Sequence, residues 1–137
     1  MSGAEGNWQV WVRKAEHDRQ AIRSILAGDE VPWDVICFHA QQAAEKLLKG
    51  FLVFRGVQPS RTHDLVALLR ECSLHAQGLV CLLADCQFLT AFAVHACYPD
   101  DLGEPSEEDA AAARASLERT WQAVSRCLPG QGGSGAA

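Results

Sequence analysis

The sequence has no stretch of alternating apolar and polar residues long enough to mark a β-strand, and its apolar spacing is helical almost throughout. A sheet is therefore excluded, and the class is read as all-α. Nor is there an excess of basic charge: 12 Lys and Arg stand against 17 Asp and Glu, a formal net charge of -5. This balance excludes a generally basic protein that coats nucleic acid. The six cysteines contain no CxxC pair and sit mostly among Leu, Val, Phe and Ala, where a free thiol behaves as a small apolar residue. Disulfide and metal use are not expected of them. The opening residues, MSGAEGNWQVWVRK, lack an apolar run of signal-peptide length, so a cytoplasmic location with reduced thiols is expected.

The chain has 137 residues, 48% of them hydrophobic, enough for one domain with a core of its own. The charge is unevenly placed. Six acids, Asp100, Asp101, Glu104, Glu107, Glu108 and Asp109, fall in one ten-residue segment, so the remainder is close to neutral and has room for a local cationic patch. From Leu79 to Cys97 only Asp85, Gln87, Thr90 and His95 interrupt nineteen residues. Asp85 near the middle is costly in lipid and no Lys or Arg flanks the run closely, so a helix buried in protein is expected rather than a membrane span.

The first helix is expected from about Asn7 to Ala27, with Trp8, Trp11, Val12, Ala15, Ile22 and Leu26 near one face and Gly28 as stop. The second starts near Pro32, whose missing N–H suits a first helical turn, and runs to Arg55 before Gly56. The loop GVQPSRTHD follows, with Thr62 expected to cap a short third helix that ends at Leu74. A fourth helix is expected from about Leu79 to Ala96, broken by Pro99. Ser106-Glu-Glu-Asp109 resembles a capping box for a fifth helix running to about Cys127. Short loops between these segments predict an up-and-down four-helix bundle with one additional short helix, over residues 7–128. Residues 1–6 read as a flexible N-terminus and 129–137 as a disordered tail. The apolar residues of the fourth helix surround its axis, which predicts a homodimer seam there.

At 100° per residue, His39, Gln42, Lys46 and Lys49 fall within about 80° on the second helix and can point into one groove. Lysine ammonium groups attract phosphate, whereas His and Gln can hydrogen-bond a base or ribose. As a solvated face the same strip needs no ligand, with Glu45 supporting Lys49 at i,i+4. Arg61 and His63 flank the start of the third helix, where free N–H groups and the dipole favour anions. Simple capping with an exposed Arg also accounts for Arg61 and His63; where the two elements converge, the six residues are expected to form a small basic cleft for a nucleotide or phosphate. The tryptophans Trp8, Trp11, Trp33 and Trp121 are read as packing near helix ends. The clustered carboxylates have no preset geometry for a metal, and no cofactor is called for.

Taken in order, WVRKAEHDRQAIRSIL, CFHAQQAAEKLLKGFLVFRG, PSRTHDLVALL and a YPD turn before the acidic loop resemble the HEPN domain over roughly Trp8 to Cys127. The resemblance implies a compact helical bundle, commonly a homodimer, in a family linked to nucleotide or RNA binding. It also implies a small nucleotidyltransferase as partner in a toxin–antitoxin-like module. Some branches are metal-independent ribonucleases that pair an Arg and a His, a few residues apart on the penultimate main helix, across a dimer cleft. The branch this sequence resembles has Arg-Tyr-Pro at the end of that helix, where this chain has Cys97-Tyr98-Pro99. Cysteine cannot supply the fixed cation. Arg70 and His75 have a suitable spacing, but on the third helix and turned well apart. A non-catalytic binding module is therefore expected, with no catalytic residue assigned. A ribonuclease and a purely structural interaction module are the alternatives.

Overall fold

A computed structural model describes residues 7–93 and 103–130. The elements are α1 (Trp8–Leu26), α2 (Trp33–Phe54), α3 (Leu65–Ser73), a 3-10 helix (Gln77–Leu82), α4 (Leu83–Thr90) and α5 (Glu107–Ser125). No strand occurs among the described residues. The all-α class is as the apolar spacing predicts.

Helix α2 is the centre of the bundle, packed by α1, α3 and α5 and touched by α4. Its sequence explains the position. Ala40, Ala43, Ala44, Leu47, Leu48, Phe51 and Leu52 are fully or almost fully buried, leaving only a narrow strip for polar groups. Small residues let α1 come close: a Cβ built on Gly50 would lie 3.0 Å from Trp11 Cβ, so glycine is the residue that fits this crossing. Trp8 and Trp11 thus lie by the C-terminal half of α2, and α1 runs antiparallel to it. At the far end of α2, Gly56 takes φ 80, its N–H donates to the Val53 carbonyl, and the Val57 N–H donates to Leu52. This is a Schellman closure that uses the left-handed freedom of glycine.

The helix boundaries depart from expectation in three places. Pro32 caps α2 from an extended conformation instead of opening its first turn. Asp64, not Thr62, caps α3, because its carboxylate accepts from both Val66 N–H and Ala67 N–H while the Thr62 hydroxyl accepts from Asp64 N–H one step earlier. The apolar face of α3 begins at Leu65 and repeats at Leu68, Leu69 and Cys72, which sets where the cap must stand. The expected fourth helix divides into the 3-10 segment and α4, and α4 ends at Thr90; residues 94–96 lie outside the described residues. No side chain caps the 3-10 segment, and a tight turn leading into an α-helix satisfies its early N–H groups poorly.

Apolar residues of this region face both the core and solvent. Leu79, Leu82, Cys86 and Leu89 enter the core, whereas Leu74, Val80 and Leu83 are 84%, 57% and 42% exposed. Asp85 is held at the α4–α5 contact by Arg119 (2.8 Å) and the Ser116 hydroxyl (2.8 Å). No described helix is long and apolar enough to cross a membrane. The capping box of α5 forms as read, with Asp109 N–H donating to Ser106 Oγ and Ser106 N–H donating to Asp109. Cys37, Cys72 and Cys86 are buried, and burial pushes the Cys37 and Cys86 thiols up to about 12 and raises Cys72 as well. Cys81 is exposed, and Cys97 lies outside the described residues.

Gly56 has open space where a Cβ would go, so its only constraint is backbone conformation. Gly56→Ala is therefore expected to lower stability by about 1 kcal/mol and Gly56→Asn by less, measured by urea unfolding. Equal stability of all three proteins would show that the turn relaxes out of the left-handed region.

Candidate functional site

The polar strip of α2 is organised by two carboxylates. Asp18 of α1, with its side chain 9% exposed, accepts from Lys46 Nζ at 2.7 Å through one oxygen and meets His39 Nδ1 at 2.8 Å through the other. Glu45 of α2 itself, 7% exposed, accepts from Lys49 Nζ at 2.9 Å and meets His63 Nδ1 at 3.0 Å. Each buried anion thus holds one lysine and one histidine. Ionised groups this far from water must be paired, and these two are paired twice over.

Both histidines turn Nδ1 to their carboxylate, which leaves Nε2 without a partner among the described residues. Gln42 lies between the two clusters along the helix. Its amide nitrogen donates to Gln41 Oε1 at 2.7 Å, leaving its carbonyl oxygen as an uncommitted acceptor. Gln41, fully buried, passes the chain of bonds on to Glu45 Oε1 and to the backbone carbonyl of His63. Burial works to raise the Glu45 carboxyl, but hydrogen bonds from Lys49, His63 and Gln41 together hold it below the usual carboxylate range.

The loop before α3 is fixed from three sides. The His63 carbonyl accepts from Gln41 of α2 and from the Thr90 hydroxyl of α4, both at 3.1 Å. The same Thr90 oxygen accepts the Leu65 N–H at 2.9 Å. Ser60 donates to Glu71 of α3 at 2.7 Å. Arg61 is exposed and has no side-chain partner among the described residues.

Of the six residues singled out from sequence, the structure brings His39 and Lys46 together on Asp18, and Lys49 and His63 together on Glu45, with Gln42 between. The expectation of free N–H groups at the start of α3 does not hold. Leu65 N–H is taken by Thr90, and Val66 and Ala67 N–H are taken by Asp64, whose carboxylate also brings negative charge to that end. Asp18, Gln41 and Thr90 were not read from the sequence as parts of this region. One signal was available for Asp18: it occupies the apolar face of α1, between Ala15 and Ile22, where an unpaired carboxylate would be too costly. Arg70 and His75 are both exposed, one on the last turn of α3 and the other beyond its end. Cys97-Tyr98-Pro99 lies outside the described residues.

The depressed Glu45 carboxyl gives a pH dependence with a definite sign. The folded protein ionises this group at lower pH than the unfolded chain, so its stabilisation is complete above the unfolded value of 4.5 and is lost as pH falls through the folded one. Glu45→Gln is expected to be less stable than the parent near pH 7 and to lose less stability on acidification below 4.5. Thermal midpoints across an acid series check this. Parallel curves for the two proteins would show that Glu45 is not a source of the acid limb.

The HEPN domain family model matches residues 8–127, which takes in all five α-helices and both carboxylate clusters. The crystal structure of an archaeal HEPN homologue is similar, with a TM-score of 0.70 and 27% identity, covering 88% of this chain and 97% of that one. Among curated proteins, none matches the chain. The chain belongs to the HEPN domain family.

Proposed function

We propose that the protein is a non-catalytic HEPN module that binds a nucleotide, free or within RNA, along the polar strip of α2, as a homodimer working with a small nucleotidyltransferase in a toxin–antitoxin-like system. The observation that carries the reading is the pair of buried carboxylates. Asp18 and Glu45 each anchor a histidine by Nδ1 and a lysine by Nζ, so that two Nε2 atoms, the Gln42 carbonyl and the spare lysine N–H groups form one fixed set of donors and acceptors. Such a set suits a base edge or ribose better than it suits random solvation, because the side chains have already lost their rotameric freedom. Membership of the HEPN domain family supports the same reading through the nucleotide or RNA binding that the resemblance implies.

Catalysis is not favoured by the arrangement. An Arg and a His acting on one scissile phosphate must meet, and Arg70 and His75 share no bond or partner among the described residues. Each anchored histidine bonds to a carboxylate that it shares with a lysine, and no arginine joins either cluster among the described residues.

Lys46→Ala is a poor probe of this site, since it would leave a buried carboxylate with half its partners and cost about 3 kcal/mol of stability. Gln42→Ala is better because it removes the carbonyl acceptor from a side chain that is only partly buried and carries no ion pair. It is expected to weaken ribonucleotide binding about tenfold, measured by calorimetry, and to cost about 1 kcal/mol of stability for the lost bond to Gln41. Ring resonances of His39 and His63 should move on titration with ribonucleotide in the parent. Shifts confined to another face of the bundle would overturn the assignment.

For self-association, the exposed Leu74, Val80 and Leu83 make the apolar surface a homodimer would cover. Leu83→Glu is expected to shift the protein to monomer in sedimentation with helicity unchanged. A parent that sediments as a monomer at micromolar concentration would remove the dimer from the reading.

A further inference from the structure

The charges around the α2 strip constrain what kind of nucleotide it takes, an argument that rests on the nucleotide-site reading above. Three fixed cations belong to the strip and its loop, Lys46, Lys49 and Arg61. Against them stand Asp18, paired with Lys46, Glu45, paired with Lys49, and Asp64 at the start of α3. With neutral imidazoles the region carries no net positive charge, and Glu71, bonded to Ser60 next to Arg61, makes the balance more negative. Two of the three cations are also committed at 2.7 and 2.9 Å to carboxylates that would be left buried and unpaired if a ligand drew the lysines away.

A polyphosphate gains affinity from several cations or from a helix start with open N–H groups. Neither is present here. The first three N–H groups of α3 are filled by Thr90 and Asp64. Among the six site residues, Arg61 alone is a cation with no partner among the described residues. It lies two positions before His63, whose ring is anchored on Glu45, so the Arg61 and His63 backbones are within about 7 Å of each other. The uncommitted groups of the strip, two imidazole Nε2 atoms and the Gln42 carbonyl oxygen, are hydrogen-bonding partners of the sort that pair with a base or ribose.

We infer that the site takes a nucleotide unit bearing one phosphate contact: the α2 strip holds the base or ribose, and Arg61 holds a single phosphate. The β- and γ-phosphates of a triphosphate find no further uncommitted cation among the six site residues. The unit is either a free nucleoside monophosphate or one residue of a single-stranded RNA, and both present the same chemistry to the strip.

Calorimetry on the full chain with the four ribonucleoside 5′-monophosphates selects the tightest base. That nucleoside, its monophosphate and its triphosphate are then compared, with inorganic triphosphate as competitor. The monophosphate and triphosphate are expected to bind within about threefold of each other, the nucleoside about fivefold more weakly, and inorganic triphosphate not to compete. Arg61→Ala should bring the monophosphate down to the affinity of the nucleoside while leaving the nucleoside unchanged. Lys14→Ala should have no effect, although Lys14 lies on α1 one turn from Asp18 and is exposed. A short single-stranded oligoribonucleotide that binds through the same contact should lose affinity with salt at a logarithmic slope of about -0.7 per protomer; tighter binding of the oligomer than of the monophosphate identifies RNA as the source, and equal binding identifies the free nucleotide. Affinity that climbs with each added phosphate, or a salt slope of about -2 reduced by Lys14→Ala, would overturn the one-phosphate inference while keeping the nucleotide site. Absence of binding by every nucleoside and nucleotide would overturn both.

Discussion

Two buried carboxylates set the terms for this bundle. Asp18 and Glu45 sit in places where an isolated charge would cost several kcal/mol, so each requires partners, and the partners come from distant parts of the chain. Asp18 ties α1 to two turns of α2 through His39 and Lys46. Glu45 ties α2 to the loop before α3 through His63. The helix register at the α1–α2 contact is thereby fixed by charge at Asp18, while Gly50 against Trp11 fixes it sterically nearer the other end. Apolar burial holds the helices together, and the carboxylates specify which residues face which.

The bonds that order the site also limit its chemistry. Thr90 serves the Leu65 N–H and the His63 carbonyl with one hydroxyl, and Asp64 serves the next two N–H groups. The start of α3 is stabilised by this closure and made unsuitable for an anion by the same closure. Lys46 and Lys49 likewise stabilise the fold as partners of buried anions, which leaves them less able to act as phosphate ligands. A strip that looks cationic in sequence is nearly neutral in space. Its remaining capacity is for directed hydrogen bonds.

On the other side of the molecule, α5 is joined to its neighbours by charge as well as by its buried alanines and leucine. Arg19 of α1 reaches both carboxylate oxygens of Glu118 at 3.0 Å and lies 4.1 Å from the centre of the Trp121 ring. Asp85 of α4 meets Arg119 and Ser116. These pairs are more exposed than the α2 clusters and contribute less each. They close the bundle through residues other than those of the α2 strip.

The sequence by itself determined the features that depend on near neighbours along the chain. Helical spacing placed α1, α2 and α5; Ser106 and Asp109 marked a capping box; Gly56 marked the end of α2; and the 100° rule aligned His39, Gln42, Lys46 and Lys49. Each of these is an interaction across no more than a few turns of one helix, and local geometry is enough to compute it. Tertiary structure decided the rest. Asp18 finds His39 and Lys46 across 21 and 28 residues, and Thr90 finds His63 across 27. No periodicity announces such pairs, because they depend on how helices are placed side by side. Asp64 rather than the expected Thr62 caps α3, because the apolar face that packs into the core begins at Leu65. Whether a lysine is a ligand or the counterion of a buried carboxylate is likewise settled only when the carboxylate arrives from another helix, since pairing in a low-dielectric interior, not spacing along the chain, fixes where its charge is spent.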